Sequence, residues 1–331
     1  MIAFKESNQI IQIHNAQTEI LFYESEEEIF ENKKKYFLKK LKGITNKYKR
    51  YDGSTLRYAG GKSRAVGYII EFLPSYVKKV VSPFFGGGSV EIALNKELGI
   101  DVIGFDVFDI LVNYWQQQIA YPKDLYNRLK QFKANKEEFF KVKENLKKHW
   151  NLESLIEDKL ELAAMYFFNH QLSYGPGFLS WPSSVYLDSR RYDKLLKKVK
   201  NFQVSNLSVS TSSFENVIPN FPKEFFYCDP PYFLGGDSKM FKGIYPQRNF
   251  PIHHNNFDHE KLRDLLHSHK GGFILSYNDC TTIRKWYSSF NIIEVEWQYT
   301  MGQGETRIGI NRLNDNRNHI KKSHELLIVK V

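Results

Sequence analysis

Four consecutive residues, Asp229-Pro230-Pro231-Tyr232, carry functional groups that suit one kind of chemistry. They follow an apolar run, Phe225-Phe226-Tyr227-Cys228, that reads as a buried strand. The Asp229 carboxylate and the Pro230 carbonyl would present two hydrogen-bond acceptors at the strand end, on a loop that the prolines stiffen. The exocyclic amino group of a nucleobase is a poor nucleophile, because its lone pair is delocalised into the ring. Acceptors beside it draw the amine toward tetrahedral geometry, and the Tyr232 ring would stack on a base removed from the duplex. Methylation of such an amine is the chemistry this set would serve. Taken alone, the tetrapeptide leaves a second, less favoured reading open, a surface Asp-Pro turn followed by a packing tyrosine.

Other segments supply what a methyl transfer needs. Phe84-Phe85-Gly86-Gly87-Gly88-Ser89 joins a predicted strand over 79–84 to a predicted helix over 89–97. Its glycines permit close backbone approach, and the helix N-terminus offers free N–H groups. Asp106 ends the next predicted strand, 102–106, eighteen residues beyond Gly88. That spacing suits a carboxylate gripping ribose hydroxyls. The loop is not G-x-G-x-x-G, and the adenosyl half of S-adenosylmethionine fits without a pyrophosphate cradle. Arg57-Tyr58-Ala59-Gly60-Gly61-Lys62 is a second glycine turn, ending in a cation able to meet a carboxylate. It lacks the spacing of a phosphate-binding P-loop. Leu275-Ser276-Tyr277-Asn278-Asp279 puts polar residues where open α/β sheets place ligand contacts. Each of these is, in isolation, also an ordinary turn.

The elements that must position these groups alternate between strand and helix. From Thr55 the pattern is strand, loop, helix, strand, as in α/β sheets. It resumes with the strand at 225–228, a helix over 257–268 and a strand over 272–276. Two last strands, 292–297 and 325–331, are expected to pair across a long polar loop, 302–323. Between 121 and 202 strand signals vanish, and Leu125, Leu129, Phe132, Phe139, Phe140 and Leu146 recur at helical spacing around an inserted domain. Residues 1–50 form an N-terminal extension. There Ser25 and Glu28 make a capping-box pattern, and 26–42 runs from acidic to basic with Ile29, Phe30, Phe37, Leu38 and Leu41 near one face. A helix docked on the main body is the preferred reading. A basic arm using Lys33 to Lys35 and the lysines from Lys39 is the alternative.

The chain of 331 residues has 42% hydrophobic residues, enough for a real core, and a net charge of +10 that favours a polyanionic partner. Cys228 and Cys280 give neither a disulfide framework nor a zinc cluster, and as buried thiols they fit a reducing cytosol. No apolar run approaches the roughly 18 residues of a membrane span, and the first residues lack the plan of a signal peptide. Two polar regions could touch nucleic acid. One is the cluster Arg190, Arg191, Lys194, Lys197, Lys198 and Lys200; the other is the loop with Arg307, Asn311, Arg312, Asn314, Asn316, Arg317 and Asn318. A solvated helix face and a merely polar loop account for the same residues. Tyr174 and Phe178, beside glycines, could wedge into a duplex or pack locally.

Taken in order, Ala59-Gly60-Gly61-Lys62, the segment from Pro83 to Val90, Asp106, the helical insert, Asp229-Pro230-Pro231-Tyr232 and Leu275 to Asp279 resemble the α-group, Dam-like DNA adenine N6-methyltransferases. The closing Glu325-Leu326-Leu327-Ile328 is similar to that family's last strand, and Phe167-Phe168-Asn169 with Ser173-Tyr174-Gly175 to the start of its DNA-recognition region. The resemblance covers about residues 54–331. It implies a Rossmann-like α/β domain, 51–120 with 203–331, whose mixed seven-stranded sheet ends in an antiparallel hairpin. Residues 121–202 would be a helical target-recognition insert. It implies S-adenosylmethionine as methyl donor, double-stranded DNA as partner, base flipping and no metal. A prokaryotic or phage cytoplasm and a companion restriction enzyme fit the same resemblance.

Residue by residue, Asp229, Pro230 and Tyr232 match the catalytic positions. Tyr58, Ala59, Gly60, Lys62, Phe84, Gly86, Gly88, Ser89, Asp106, Val107, Phe214 and Asp229 match cofactor-site positions. Lys62 would stand near the methionine end and Phe214 against the adenine. Tyr174, Arg190, Arg191, Lys194, Lys197, Arg307, Asn311 and Arg312 would meet DNA. Two positions depart from the family: Ser213 stands where Asp is usual, and Phe108 where Asn is usual. Alternatives are methylation of cytosine N4, and a DNA-binding module of the same fold without catalysis. Asp before Pro-Pro-Tyr favours adenine within the family, and the intact tetrapeptide argues against lost chemistry.

Overall fold

The computed structural model describes residues 10–11, 22–23, 25–42, 47–175, 177–235, 257–295 and 325–331. A short antiparallel pair, β1 (Ile10–Ile11) with β2 (Phe22–Tyr23), precedes helix α1 (Glu26–Lys42). The main sheet has seven strands: β3 (Lys79–Ser82), β4 (Asp101–Asp106), β5 (Leu207–Thr211), β6 (Phe225–Cys228), β7 (Phe273–Asn278), β8 (Asn291–Val295) and β9 (Glu325–Lys330). Their spatial order is β5-β4-β3-β6-β7-β9-β8. The first five in that order are parallel, and β9 runs antiparallel to both β7 and β8. This is the expected mixed sheet with its C-terminal hairpin.

Burial follows position. β6 and β7 are buried along their whole length, as strands covered on both faces must be. The edge strand β5 buries only Leu207 and Val209. With two apolar positions and no flanking run it was not anticipated from sequence. Strand order reverses between β3 and β6, which pair in parallel through Val80↔Phe225 and Val81↔Phe226. Open α/β sheets bind ligands outside the strand C-termini at such a reversal. The glycine loop leaves β3 there, and Asp229 leaves β6.

Helices α2 (Val66–Glu71), α3 (Ser89–Leu98), α4 (Asp109–Ala120), α9 (Phe214–Asn220), α10 (His259–Ser268) and α11 (Thr281–Trp286) accompany the sheet. The expected insert consists of α5 (Pro122–Leu129), α6 (Lys136–Trp150), α7 (Lys159–Leu172) and α8 (Ser189–Lys200). Asn135, Asp158 and Asp188 cap α6, α7 and α8 by accepting backbone N–H groups. One hydrophobic cluster runs from Phe30 through the insert to Val329, so 121–202 shares its core with the sheet domain.

α1 has the anticipated capping box, with Ser25 N donating to Glu28 at 2.8 Å and Glu28 N to Ser25 Oγ at 3.2 Å. It buries Phe30, Phe37 and Leu41 against the body, and Lys34 Nζ donates to the Leu73 carbonyl at 2.7 Å. The docked helix is therefore the observed arrangement.

Gly104 of β4 lets Phe85 nest against the sheet: a Cβ there would lie 2.2 Å from Phe85 Cδ2. Phe85 in turn meets Trp115 edge-on at 5.3 Å. Gly104→Ala is expected to overpack this contact and cost about 1–3 kcal/mol. The readout is a lower urea midpoint at unchanged denaturant slope.

Candidate active site

A cavity of about 490 Å³ opens at the β3/β6 reversal, within the size range of small-molecule sites. Tyr58, Ala59, Gly60, Lys62, Phe84, Gly86, Gly88, Ser89, Asp106, Val107, Phe214 and Asp229 all line it, together with Pro230. The fold thus brings together residues from five separate segments of the sequence. Gly86 and Gly88 take positive φ values of 47° and 62°, and Gly88 caps α3 in the left-handed conformation. At Gly87 a Cβ would lie 2.5 Å from the Tyr58 Cβ, so the two glycine turns meet only because that side chain is absent.

Asp106 braces the loop. Its Oδ2 accepts from Gly86 N at 2.9 Å and its Oδ1 from Phe108 N at 3.0 Å. Trp115 Nε1 donates to the Gly86 carbonyl at 2.9 Å from the other side. Three rings, Phe84, Phe214 and Phe257, stand within 5.0–5.8 Å of one another along the cavity. A carboxylate, a glycine cradle and a group of aromatic faces form a donor and acceptor set that fits a nucleoside carrying an amino-acid tail. Phe257, Glu91, Glu215 and Asp258 also line the cavity, and sequence reasoning had not singled them out.

The Asp229–Tyr232 segment is held electrostatically. Lys62 Nζ lies 2.7 Å from Asp229 Oδ1, and the lysine is only 4% exposed. The same ammonium sits 4.7 Å from the centre of the Tyr232 ring and donates to the Gly60 carbonyl at 2.9 Å. Burial pushes the Asp229 carboxyl above the usual carboxylate range, and Lys62 pulls it back. Tyr232 is itself buried, stacked on Tyr277 at 6.1 Å, with its hydroxyl donating to Glu325. The base-stacking ring expected from sequence is therefore covered by Lys62 on this approach.

Beneath them, Glu91 of α3 is buried and accepts a 2.7 Å hydrogen bond from Ser82 Oγ. Burial raises its pKa to about 8, with Asp229 adding to the rise and Lys62 opposing it.

The remaining predicted positions lie elsewhere. Leu275 to Asp279 do not line the cavity. Asn278 Nδ2 instead donates to the Phe233 carbonyl at 2.7 Å, behind the catalytic loop, and Asp279 pairs with Arg284 at 2.6 Å. Tyr174 is 63% exposed, whereas Phe178 is buried against Phe108, Trp150 and Tyr166. That cluster accounts for the aromatic at position 108, which ties the ribose-side loop to the insert. Arg190, Arg191, Lys194 and Lys197 occupy the exposed face of α8, opposite its buried Tyr192, Leu196 and Val199. Arg307, Asn311 and Arg312 lie outside the described residues. Among the described residues no helix is long and apolar enough to cross a membrane.

Two outcomes follow from the charges. Lys62→Met removes the cation that lowers the Asp229 pKa. The acid limb of the activity profile, measured at saturating ligands, is expected to move to higher pH. Glu91 has a folded pKa near 8, against roughly 4.3 unfolded. Its favourable contribution is complete below the lower value and is lost as pH rises through the upper one. Glu91→Gln is expected to flatten the fall in stability across that window, read by denaturant titration at each pH.

Residues 58–301 match the family described as D12 class N6 adenine-specific DNA methyltransferase. No curated protein matches the chain. The matched stretch begins at the cavity's Tyr58, takes in both glycine turns, helices α5 to α8 and Asp229 to Tyr232, and spans well over half of the sequence. Adenine rather than cytosine is thus the base, and the chain belongs to the D12 class of N6 adenine-specific DNA methyltransferases.

Proposed function

We propose that Asp229, the Pro230 carbonyl and Tyr232 carry the adenine N6 methylation that this family performs on DNA. The observation behind this reading is the placement of Asp229 at the β6 end of the cavity, buried and held by Lys62. Enzymes of this class take the methyl group from S-adenosylmethionine, whose sulfonium supplies an electrophilic carbon. Asp106 would accept the ribose hydroxyls, the Phe84, Phe214 and Phe257 rings would take the adenine of the cofactor, and the Gly86 to Ser89 backbone would face its tail. Ser213 lines the cavity without the acid usual at that position, leaving the aromatic rings to hold the cofactor base.

The target adenine enters flipped out of the duplex, at a cost of a few kcal/mol offset by stacking and phosphate contacts. Its amine donates to Asp229 and to the Pro230 carbonyl, which localises the nitrogen lone pair toward the methyl group. As the carbon–nitrogen bond forms the carbon–sulfur bond would break, leaving a neutral thioether. N6 would then be positively charged and strongly acidic, and its proton could pass to Asp229, which need not be a strong base beforehand. In the structure Lys62 holds the donor position on Asp229 and one approach to Tyr232. In this reading the incoming amine displaces it. The burial of Asp229 is then tolerated before substrate arrives, because the ammonium compensates its charge.

The helical insert, 121–202, is the proposed target-recognition region. Support comes from exposed Tyr174 and the basic outer face of α8. The enzyme would modify a specific sequence in a prokaryotic or phage-infected cell, beside a restriction enzyme of the same specificity where one exists.

Asp229→Ala is expected to abolish methylation while largely preserving cofactor binding. The check is incubation with methyl-labelled S-adenosylmethionine and unmethylated genomic DNA, followed by nucleoside mass spectrometry. Wild-type protein should yield N6-methyladenine; full activity in the variant would refute the assignment.

A further inference from the structure

A second cavity, of about 180 Å³, lies against the first and shares Tyr58, Gly61 and Ser89 with it. Its walls come from the segment 50–58, from Gly61 and Ser63 in the turn ahead of α2, from the start of α3, and from α8 through Leu195 and Lys198. Three cations reach it, Arg50, Arg57 and Lys198, against one carboxylate, Asp52. Lys198 already pairs with Asp52, which leaves the two guanidinium groups as the net charge of the site. Among the described residues neither Arg50 nor Arg57 has an acidic partner within ion-pair distance.

Arg57 is the more constrained of the two. Its Nη2 donates to the Gln171 and Ser173 carbonyls, and its guanidinium lies 3.5 Å from the centre of the Tyr186 ring. Its Nε and Nη1 are buried without a hydrogen-bond acceptor. Burial lowers its affinity for the proton, Tyr186 beside it opposes that, and the like charge of Arg50 adds a smaller push downward. A desolvated guanidinium with two buried donors that lack an acceptor, no carboxylate and a second arginine nearby favours an anion. A phosphate group has the charge and the acceptor geometry that arginine donors match.

We propose that this cavity is a phosphate subsite that takes one backbone phosphodiester of the DNA substrate. Three observations favour a diester in DNA over a free anion. The cavity adjoins the proposed catalytic one through Tyr58. One wall is α8, whose exposed face carries Arg190, Arg191, Lys194 and Lys197. The Arg57 guanidinium is anchored by the loop that presents exposed Tyr174, through the Ser173 carbonyl. A phosphate held here fixes the strand's position without reading its sequence. The assignment rests on the proposed placement of the catalytic residues only for the strand's direction of approach.

The test is the salt dependence of duplex DNA binding by the full chain. For Arg50→Gln, the slope of log K against log salt is expected to fall by about one, equally for unrelated duplex sequences. Arg57→Gln should do the same, and Asp52→Asn, which frees Lys198, should strengthen binding. Arg50 is exposed and bonds Ser63 Oγ at 3.1 Å, so its replacement leaves the fold's buried contacts in place. Inorganic phosphate should compete with DNA better than chloride at equal ionic strength, and lose that advantage in both arginine variants. Unchanged slopes in Arg50→Gln and Arg57→Gln would overturn the proposal. So would saturable binding of inorganic phosphate that leaves DNA affinity untouched, since that marks a free-anion site. Methylation of the same DNA by the wild-type chain, measured alongside, reports separately on Asp229.

Discussion

The parallel pairing of β3 with β6 is the constraint on which the rest depends. It sets two loop origins side by side at the point where the order of the described parallel strands reverses. From one comes a glycine turn able to lie close to a nucleoside; from the other comes a rigid acceptor loop. The two need no flexible linker or moving domain to find each other, because ladder register decides their separation. The antiparallel β9 completes the arrangement, since its first residue, Glu325, accepts from the hydroxyl of Tyr232.

A buried acid at the end of β6 is costly by itself, and the surroundings show how the cost is distributed. Lys62 lies within 2.7 Å of Asp229, while Glu91, deeper in the cavity, is kept largely protonated below about pH 8 by its own desolvation. One formal negative charge is thus matched by one positive charge, with a neutral carboxyl below them. The pairing also explains why Lys62, read from sequence as a cation for the cofactor's tail, sits so deep. In the structure its immediate partner is a residue more than a hundred and sixty positions away.

What could be read from the chain was what local pattern encodes. Apolar runs ending in glycine or Asp-Pro marked β3, β6 and their loops, and helical spacing marked the insert and α1. The Ser25/Glu28 cap was visible as a pair of residue types at a fixed offset. The edge strand β5 escaped because two alternating apolar residues are too few to register as a strand. Phe257 escaped because a lone aromatic ahead of a helix cap has no periodicity. Glu91 gave no signal because an acid in the first turn of a helix is ordinary, and its pairing with Ser82 joins two segments. The cover over Tyr232 and the Lys62–Asp229 pair are meetings of distant segments, which no local spacing encodes.

Phe108 joins the ribose-side loop to Trp150, Tyr166 and Phe178, and Gln118 of α4 donates to the Val199 carbonyl of α8 at 3.0 Å. Arg57 meanwhile reaches the Gln171 carbonyl. These ties have an evolutionary consequence. A recombination event that exchanged 121–202 for a relative's segment would also replace side chains that back Phe108 in the wall of the main cavity. Change in 121–202 would then proceed more readily at surface residues such as Tyr174 and those on the outer face of α8 than by exchange of the whole segment.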